Sequence, residues 1–278
     1  MSLTVFAVVL FAAVLHAAWN AIVKSGSDKL LTTILVASSA GGVAALILPF
    51  LPPPAAASWP FLLASMVFEI IYFVLIAGVY RAADMSQTYP LMRGTAPLLV
   101  SMASAALLHE YLSVIAWSGI CLICVGTVSL AWTARAKGNV RGVALALLNA
   151  VVIAAYTLID GAGVRLSAAP IAYAAWLFLL TAIPLAGWAF AIKGAVFRRY
   201  AAKHLHVGMI GGFGSCASYG LALWAMTQAP VAVVAALRET SILFAAVIAV
   251  FVLKERVSRQ RIAAVCVIAA GAAMLRLA

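Results

Sequence analysis

The feature that most constrains this chain is the unbroken length of its apolar runs. Between short charged or Pro-rich breaks lie ten of them, at about 3–23, 30–50, 59–80, 87–108, 112–132, 142–160, 170–192, 205–227, 231–253 and 259–277. About 20 helical residues rising 1.5 Å each span the roughly 30 Å of bilayer hydrocarbon. In that medium a backbone must satisfy its own hydrogen bonds, which leaves helices or a closed barrel. Barrel strands would be short and would alternate polar with apolar residues, whereas these runs are continuous. Composition agrees: 67% of the 278 residues are hydrophobic and 9% are charged, against roughly 25% charged in a soluble domain. The expectation is an all-α polytopic membrane protein with ten transmembrane helices and no soluble domain in the short connections. The first run has no basic residue before it and no convincing cleavage site, so it reads as a spanning helix rather than a leader.

Lysine and arginine orient the bundle. The connections after runs 1, 3, 5, 7 and 9 hold Lys24, Lys29, Arg81, Arg135, Lys137, Arg141, Lys193, Arg198, Arg199, Lys203, Lys254, Arg256, Arg259 and Arg261, and the other side holds Arg165 and Arg276. Cytoplasmic loops carry the excess of basic residues, so both termini are expected outside. The net charge of +11 then reads as topology and as contact with anionic lipid headgroups. Nucleic acid would need a clustered basic face, and no nucleic-acid partner is expected.

The chain also repeats itself. RGTAPLLVSMASAALLHEYLS, Arg93 to Ser113, is echoed 145 residues later by RETSILFAAVIAVFVLKERVS, Arg238 to Ser258. Residues 90–130 align with 235–275 without a gap at ten identities in 41 positions, among them Arg93 with Arg238, Thr95 with Thr240, Glu110 with Glu255, Cys121 with Cys266 and Gly126 with Gly271. More weakly, AAWN at Ala17 falls against AAYT at Ala154. Residues 1–134 and 138–278 thus form two five-helix repeats. An odd number of spans inserts the copies in opposite senses, giving a pseudo-two-fold axis in the membrane plane. The loop charges invert in step: the turn at His109 and Glu110 has no Lys or Arg, while its counterpart from Lys254 to Arg261 carries four. Inverted repeats around a central cavity that opens to either side in turn describe a transporter.

Five plus five spans, with a short Glu-containing turn before the last helix of each half, resemble the EamA-type exporters of the drug/metabolite transporter superfamily. HAAWN at His16 to Asn20 followed by Lys24, YRAADMSQTYPLMRGTAP at Tyr80 to Pro97, AYTLIDGAG at Ala155 to Gly163 and KERVS at Lys254 to Ser258 add to the likeness. The resemblance implies a basket of ten helices around a cavity, with the fifth and tenth to the side. It also implies export of amino acids or similarly small metabolites across the inner (plasma) membrane; relatives carry drugs or sugar nucleotides. Many relatives keep both termini in the cytoplasm, and the charges here argue for the reverse.

Polar residues inside the runs are the site candidates, because a charge at the bilayer centre costs several kcal/mol unless it meets protein, water or a partner. Glu69 is the deepest acid; it either pairs with Arg93 or Arg238 or faces the cavity alone, where it could carry a proton. Tyr72 shares its helical face, with Tyr80 further along. His16 and Asn20 are four apart on run 1 with Trp19 between them, fit either to line a cavity or to anchor packing. Asn149, Tyr156 and Asp160 trace one stripe on run 6, where Asp160, near the helix end, reads as solvated. Arg93 and Arg238 stand at equivalent depths, either snorkelling to the interface or sharing a role on a substrate carboxylate or a gate. Pro97 can kink its helix, and its counterpart is Ile242. With Tyr219 of run 8, the substrate-binding candidates are His16, Trp19, Asn20, Glu69, Tyr72, Arg93, Tyr156, Tyr219 and Arg238.

Other signals carry less. Cys121 and Cys124 form a CxxC within an apolar helix without a second ligand pair, and Cys216 and Cys266 add no pattern, so no metal site is expected. Gly211, Gly212 and Gly214 lack the Lys-Ser/Thr of a phosphate loop and suit close helix packing, as do Gly119 and Gly126. No cofactor is expected. An intramembrane enzyme would need a clustered nucleophile and base, which four histidines without ligand spacing do not supply; a scaffold would not need Glu69. The reading is a secondary transporter, a monomer, whose partners are a small-molecule substrate and the bilayer. Efflux of apolar drugs is the alternative.

Overall fold

The computed structural model describes residues 1–133, 140–251, 254 and 258–278. Arg135, Lys137, Glu255, Arg256 and the side chain of Tyr80 lie outside the described residues. The chain is helical: α1 (Leu3–Ser25), α2 (Lys29–Ile47), α3 (Trp59–Ala82), α4 (Met85–Leu107), α5 (Val114–Thr133), α6 (Val140–Leu166), α7 (Pro170–Met226), α8 (Val231–Arg238), α9 (Ser241–Phe251) and α10 (Arg259–Leu277). Side chains at helix N-termini take up backbone N–H groups that have no intrahelical partner. The Ser2 hydroxyl accepts from Val5, the Asp28 carboxylate from Leu31 and the Ser258 hydroxyl from Arg261. Pro60 and Pro170 stand in first turns, where a missing N–H costs nothing.

Among the described residues eight helical stretches are long and apolar enough to cross a membrane, α8 and α9 counting as one and the whole of α7 as another. α4 falls outside that set, having Gln87, Thr88, Tyr89 and Arg93 in its first half. Large apolar side chains such as Phe11, Val74, Met102, Phe213 and Phe251 are more than half exposed on the outside of the bundle, a surface that hydrocarbon solvates and water would not.

Three elements depart from the expected runs. Run 6 was expected to end at residue 160, but α6 continues to Leu166, which puts Asp160 inside a helix. Runs 7 and 8 share the 57-residue stretch α7, which is two helices meeting at a kink; roughly 85 Å of unbroken helical rise would be too long for one crossing. α7 is broken at Gly194 (φ 43°, ψ −116°) and His204 (φ −117°, ψ 19°); the positive φ at 194 suits glycine, which has no Cβ to clash. Its two arms fold back on each other, because Gly41 of α2 packs against Ala182 of the first arm while the adjacent Ala40 packs against Gly212 of the second. Run 9 is interrupted at Glu239 and Thr240, where the Thr240 hydroxyl donates to the Leu237 carbonyl.

Small residues let the helices approach. Gly208, Gly211 and Gly212 face Leu35, Val36 and Ser39–Ala40 of α2, and Gly119 and Gly126 of α5 face Gly271 and Ile268 of α10. α5 and α10 are therefore antiparallel. Connections collect at one end of the bundle: Glu110 meets Arg165 and the Val231 N–H, and the Ala55 N–H donates to the Ser167 carbonyl. Both termini lie at that end, where Arg276 donates to the Met1 carbonyl; Ser27 lies at the other.

A Cβ on Gly271 would fall 2.7 Å from the Gly119 carbonyl oxygen and 3.0 Å from the Ile123 nitrogen, both backbone atoms. Gly271→Ala should lower thermal stability in detergent by about 1–3 kcal/mol. Gly187→Ala, with nothing within 4 Å of the added Cβ, should not, and equal melting temperatures would show that the α5–α10 seam has slack.

A polar cavity at the centre of the bundle

All nine candidates line one cavity of about 140 Å³. α1 supplies His16, Trp19 and Asn20, α3 Glu69 and Tyr72, α4 Arg93, α6 Tyr156, α7 Tyr219 and α8 Arg238. The lining of α2 comes from Thr33, Val36 and Ala37 in its first half, and that of α4 from Tyr89 and Arg93 in its first nine residues. The space thus lies between the middle of the bundle and the end that holds Ser27.

Within it, Glu69 accepts a hydrogen bond from the Thr181 hydroxyl at 2.7 Å. Among the described residues it makes no ion pair, so neither expected pairing, with Arg93 or with Arg238, is formed. Arg93 is held instead by Glu239, the acid at the interruption between α8 and α9. Their closest approach is 2.7 Å, from NH2 to Oε1, and Nε donates to Oε2 at 3.1 Å. The Nε contact is the aligned hydrogen bond, since NH2 itself makes none that is well directed, and the 2.7 Å approach is chiefly electrostatic. Glu239 is buried and Arg93 partly so, 4% and 11% exposed.

Arg238 is 9% exposed and has no carboxylate at ion-pair distance among the described residues. Its guanidinium lies 4.7 Å over the Tyr219 ring, the face to which the aromatic quadrupole attracts a cation. Neither arginine snorkels to the interface.

Asp160 is a correction. It is fully buried rather than solvated, and its carboxylate accepts from the Tyr173 hydroxyl at 3.1 Å and the Tyr219 hydroxyl at 2.5 Å. Of the stripe on α6, Tyr156 reaches the cavity, edge-to-face with Tyr72 at 6.1 Å, while Asn149 is buried and donates to the Met92 sulfur. His16 packs edge-to-face with Trp19 at 5.2 Å and its carbonyl accepts from the Asn20 amide. Sequence reasoning missed Tyr89, Phe178, Thr181 and Ser218. The signal for Thr181 was a lone hydroxyl in an apolar run when Glu69 needed a partner. Ser218 gives no such signal, since its hydroxyl serves the Ala12 carbonyl.

These observations define a helical membrane protein with a charged, aromatic-walled central cavity. Residues 140–277, the second half of the chain, match the model of the EamA-like transporter family, which belongs to the drug/metabolite transporter superfamily. A solved crystal structure matches 99% of this chain and 98% of its own at a TM-score of 0.76 and 21% identity, so the fold is shared from end to end. A search among curated proteins finds no match to the chain.

Removing one member of a buried ion pair strands the other, at about 3–5 kcal/mol, whereas replacing both by apolar residues is often neutral. Arg93→Met and Glu239→Leu should each lower the melting temperature of the purified protein, and the double variant should recover most of the loss. Additive losses would show that the two side chains are not coupled.

Proposed function

We propose that the chain is a secondary transporter exporting amino acids or similarly small zwitterionic metabolites by alternating access across the inner membrane, acting as a monomer. The observation that carries the reading is the distribution of charge in the cavity. Arg93 and Glu239 compensate each other, which among the described residues lining the cavity leaves the Glu69 carboxyl, bonded to a hydroxyl, and the Arg238 guanidinium, resting on an aromatic ring. A solute with an ammonium and a carboxylate complements both groups, and the aromatic residues offer its side chain an apolar wall.

Two five-helix inverted repeats, 1–134 and 138–278, are the architecture that this mechanism uses. The α5–α10 seam supports them. Adding or subtracting 145 turns the contact of Gly119 with Gly271 into that of Ala264 with Gly126, and the contact of Gly126 with Ile268 into that of Gly271 with Ile123; all four occur. Such reciprocity is what a two-fold relation between halves produces. The halves are not identical, since α4 runs on through Gly94 and Thr95 where their counterparts, Glu239 and Thr240, interrupt the helix.

The charge asymmetry supports termini outside and the Ser27 end in the cytoplasm, the side from which an exporter loads. In a Cys-free background, a single cysteine at Tyr111, 85% exposed, should react with an impermeant maleimide added outside intact cells, and one at Ser27 should not. The reverse labelling would overturn this orientation.

Overexpression should raise resistance to toxic amino-acid analogues, and Glu69→Gln should abolish most of that gain with the protein still folded in the membrane. If Glu69 carries a proton, the variant's residual transport should also lose its pH dependence. Unchanged resistance across the analogues, together with altered resistance to dyes, would replace this reading by drug efflux, which the aromatic lining also favours.

A further inference from the structure

Asp160 does not line the cavity, yet the cavity's order runs through it. Its two oxygens take one phenol from each arm of α7: Tyr173 from the first arm on Oδ1 and Tyr219 from the second on Oδ2. Tyr173 is fully buried and ends there. Tyr219 continues to the cavity wall, where its ring packs edge-to-face with Phe178 at 6.2 Å and carries the Arg238 guanidinium on its face.

A tyrosine side chain has two torsions, and a charge-assisted bond from its hydroxyl to a carboxylate fixes both. That fixes the platform on which Arg238 rests. Arg93 has Glu239 to hold it; for Arg238 the platform is the restraint. The backbone beside Asp160 is built for close approach. Gly163 leaves the room that the Tyr173 hydroxyl and ring occupy, and a Cβ at Gly161 would collide with Val231, the first residue of the helix that ends in Arg238.

We propose that Asp160 is a specificity-determining positioning residue: through the Tyr219 hydroxyl it holds Arg238 over the cavity, and so sets the affinity for a substrate carboxylate that it does not touch. This rests on the zwitterion reading above, in which Arg238 receives that carboxylate.

The test is uptake of radiolabelled phenylalanine and of phenylalaninamide into proteoliposomes of the full chain. At about pH 6.5 both ammonium groups are charged and the two probes differ in the carboxylate alone. Tyr219→Phe keeps the ring and removes only the hydroxyl. It should raise KM for phenylalanine about tenfold, as expected for losing an interaction with a charged group. KM for the amide should rise several-fold less than KM for phenylalanine. Added to Arg238→Gln, it should have no further effect. Asp160→Asn, which keeps an acceptor for the phenol, should retain more phenylalanine affinity than Asp160→Ala. A merely structural role would lower Vmax for both probes alike.

The proposal is overturned if Arg238→Gln selectively weakens phenylalanine while Tyr219→Phe shifts both probes equally or neither. If Arg238→Gln is not selective, or the parental protein moves neither probe, the zwitterion reading falls and this inference falls with it.

Discussion

A charge carried into hydrocarbon must meet a partner, and the interior of this protein is arranged around five of them. Arg93, Glu239, Arg238, Asp160 and Glu69 come from α4, the interruption after α8, α8 itself, α6 and α3. They are met in four ways: two by a mutual ion pair, one by an aromatic face, one by two phenols and one by a single hydroxyl. These pairings, more than the apolar contacts, specify which helices are neighbours, because apolar faces are nearly as well solvated by lipid as by each other. The glycine seams then set how closely those neighbours approach.

The arrangement grades the charges by availability. Asp160 and Glu239 are enclosed and compensated, Arg93 reaches the cavity with its charge already met by Glu239, and Glu69 and Arg238 face the cavity without an ion-pair partner among the described residues. A site of this kind discriminates through what a wrong ligand would leave unpaired, since a buried charge that loses a contact without replacement costs more than any single apolar contact returns. The same logic explains why the interruption at Glu239 is tolerated: the carbonyl freed at Leu237 is taken by Thr240, and the acid is held by a cation from the opposite half of the chain.

Much of this was legible in the sequence because the bilayer fixes run length and punishes stray charge. Most span edges follow from the first rule, and nine of the cavity-lining residues follow from the second. What was not legible has specific causes. Asp160 reads as terminal because an acid followed by Gly-Ala-Gly breaks the apolar run at its own position, whereas the helix continues to Leu166. The partner of Arg93 is 146 residues away and stands next to the arginine's own repeat counterpart, which no local pattern reveals. The interruption at 239–240 carries neither proline nor glycine. Conversely, the charged stretch from Lys193 to Lys203 breaks the hydropathy yet stays helical between the breaks at Gly194 and His204, since lysine and arginine are good helix formers.

The central claim is that the cavity moves a small solute across the bilayer without chemistry. Counterflow tests it most directly: purified protein in proteoliposomes preloaded with unlabelled amino acids, diluted into trace labelled amino acid with no ion gradient. The account predicts a transient accumulation of label above equilibrium, absent from empty liposomes. Equilibration at the rate of empty liposomes across the amino-acid panel, while dyes accumulate or a lipid-soluble compound is chemically converted, would contradict it.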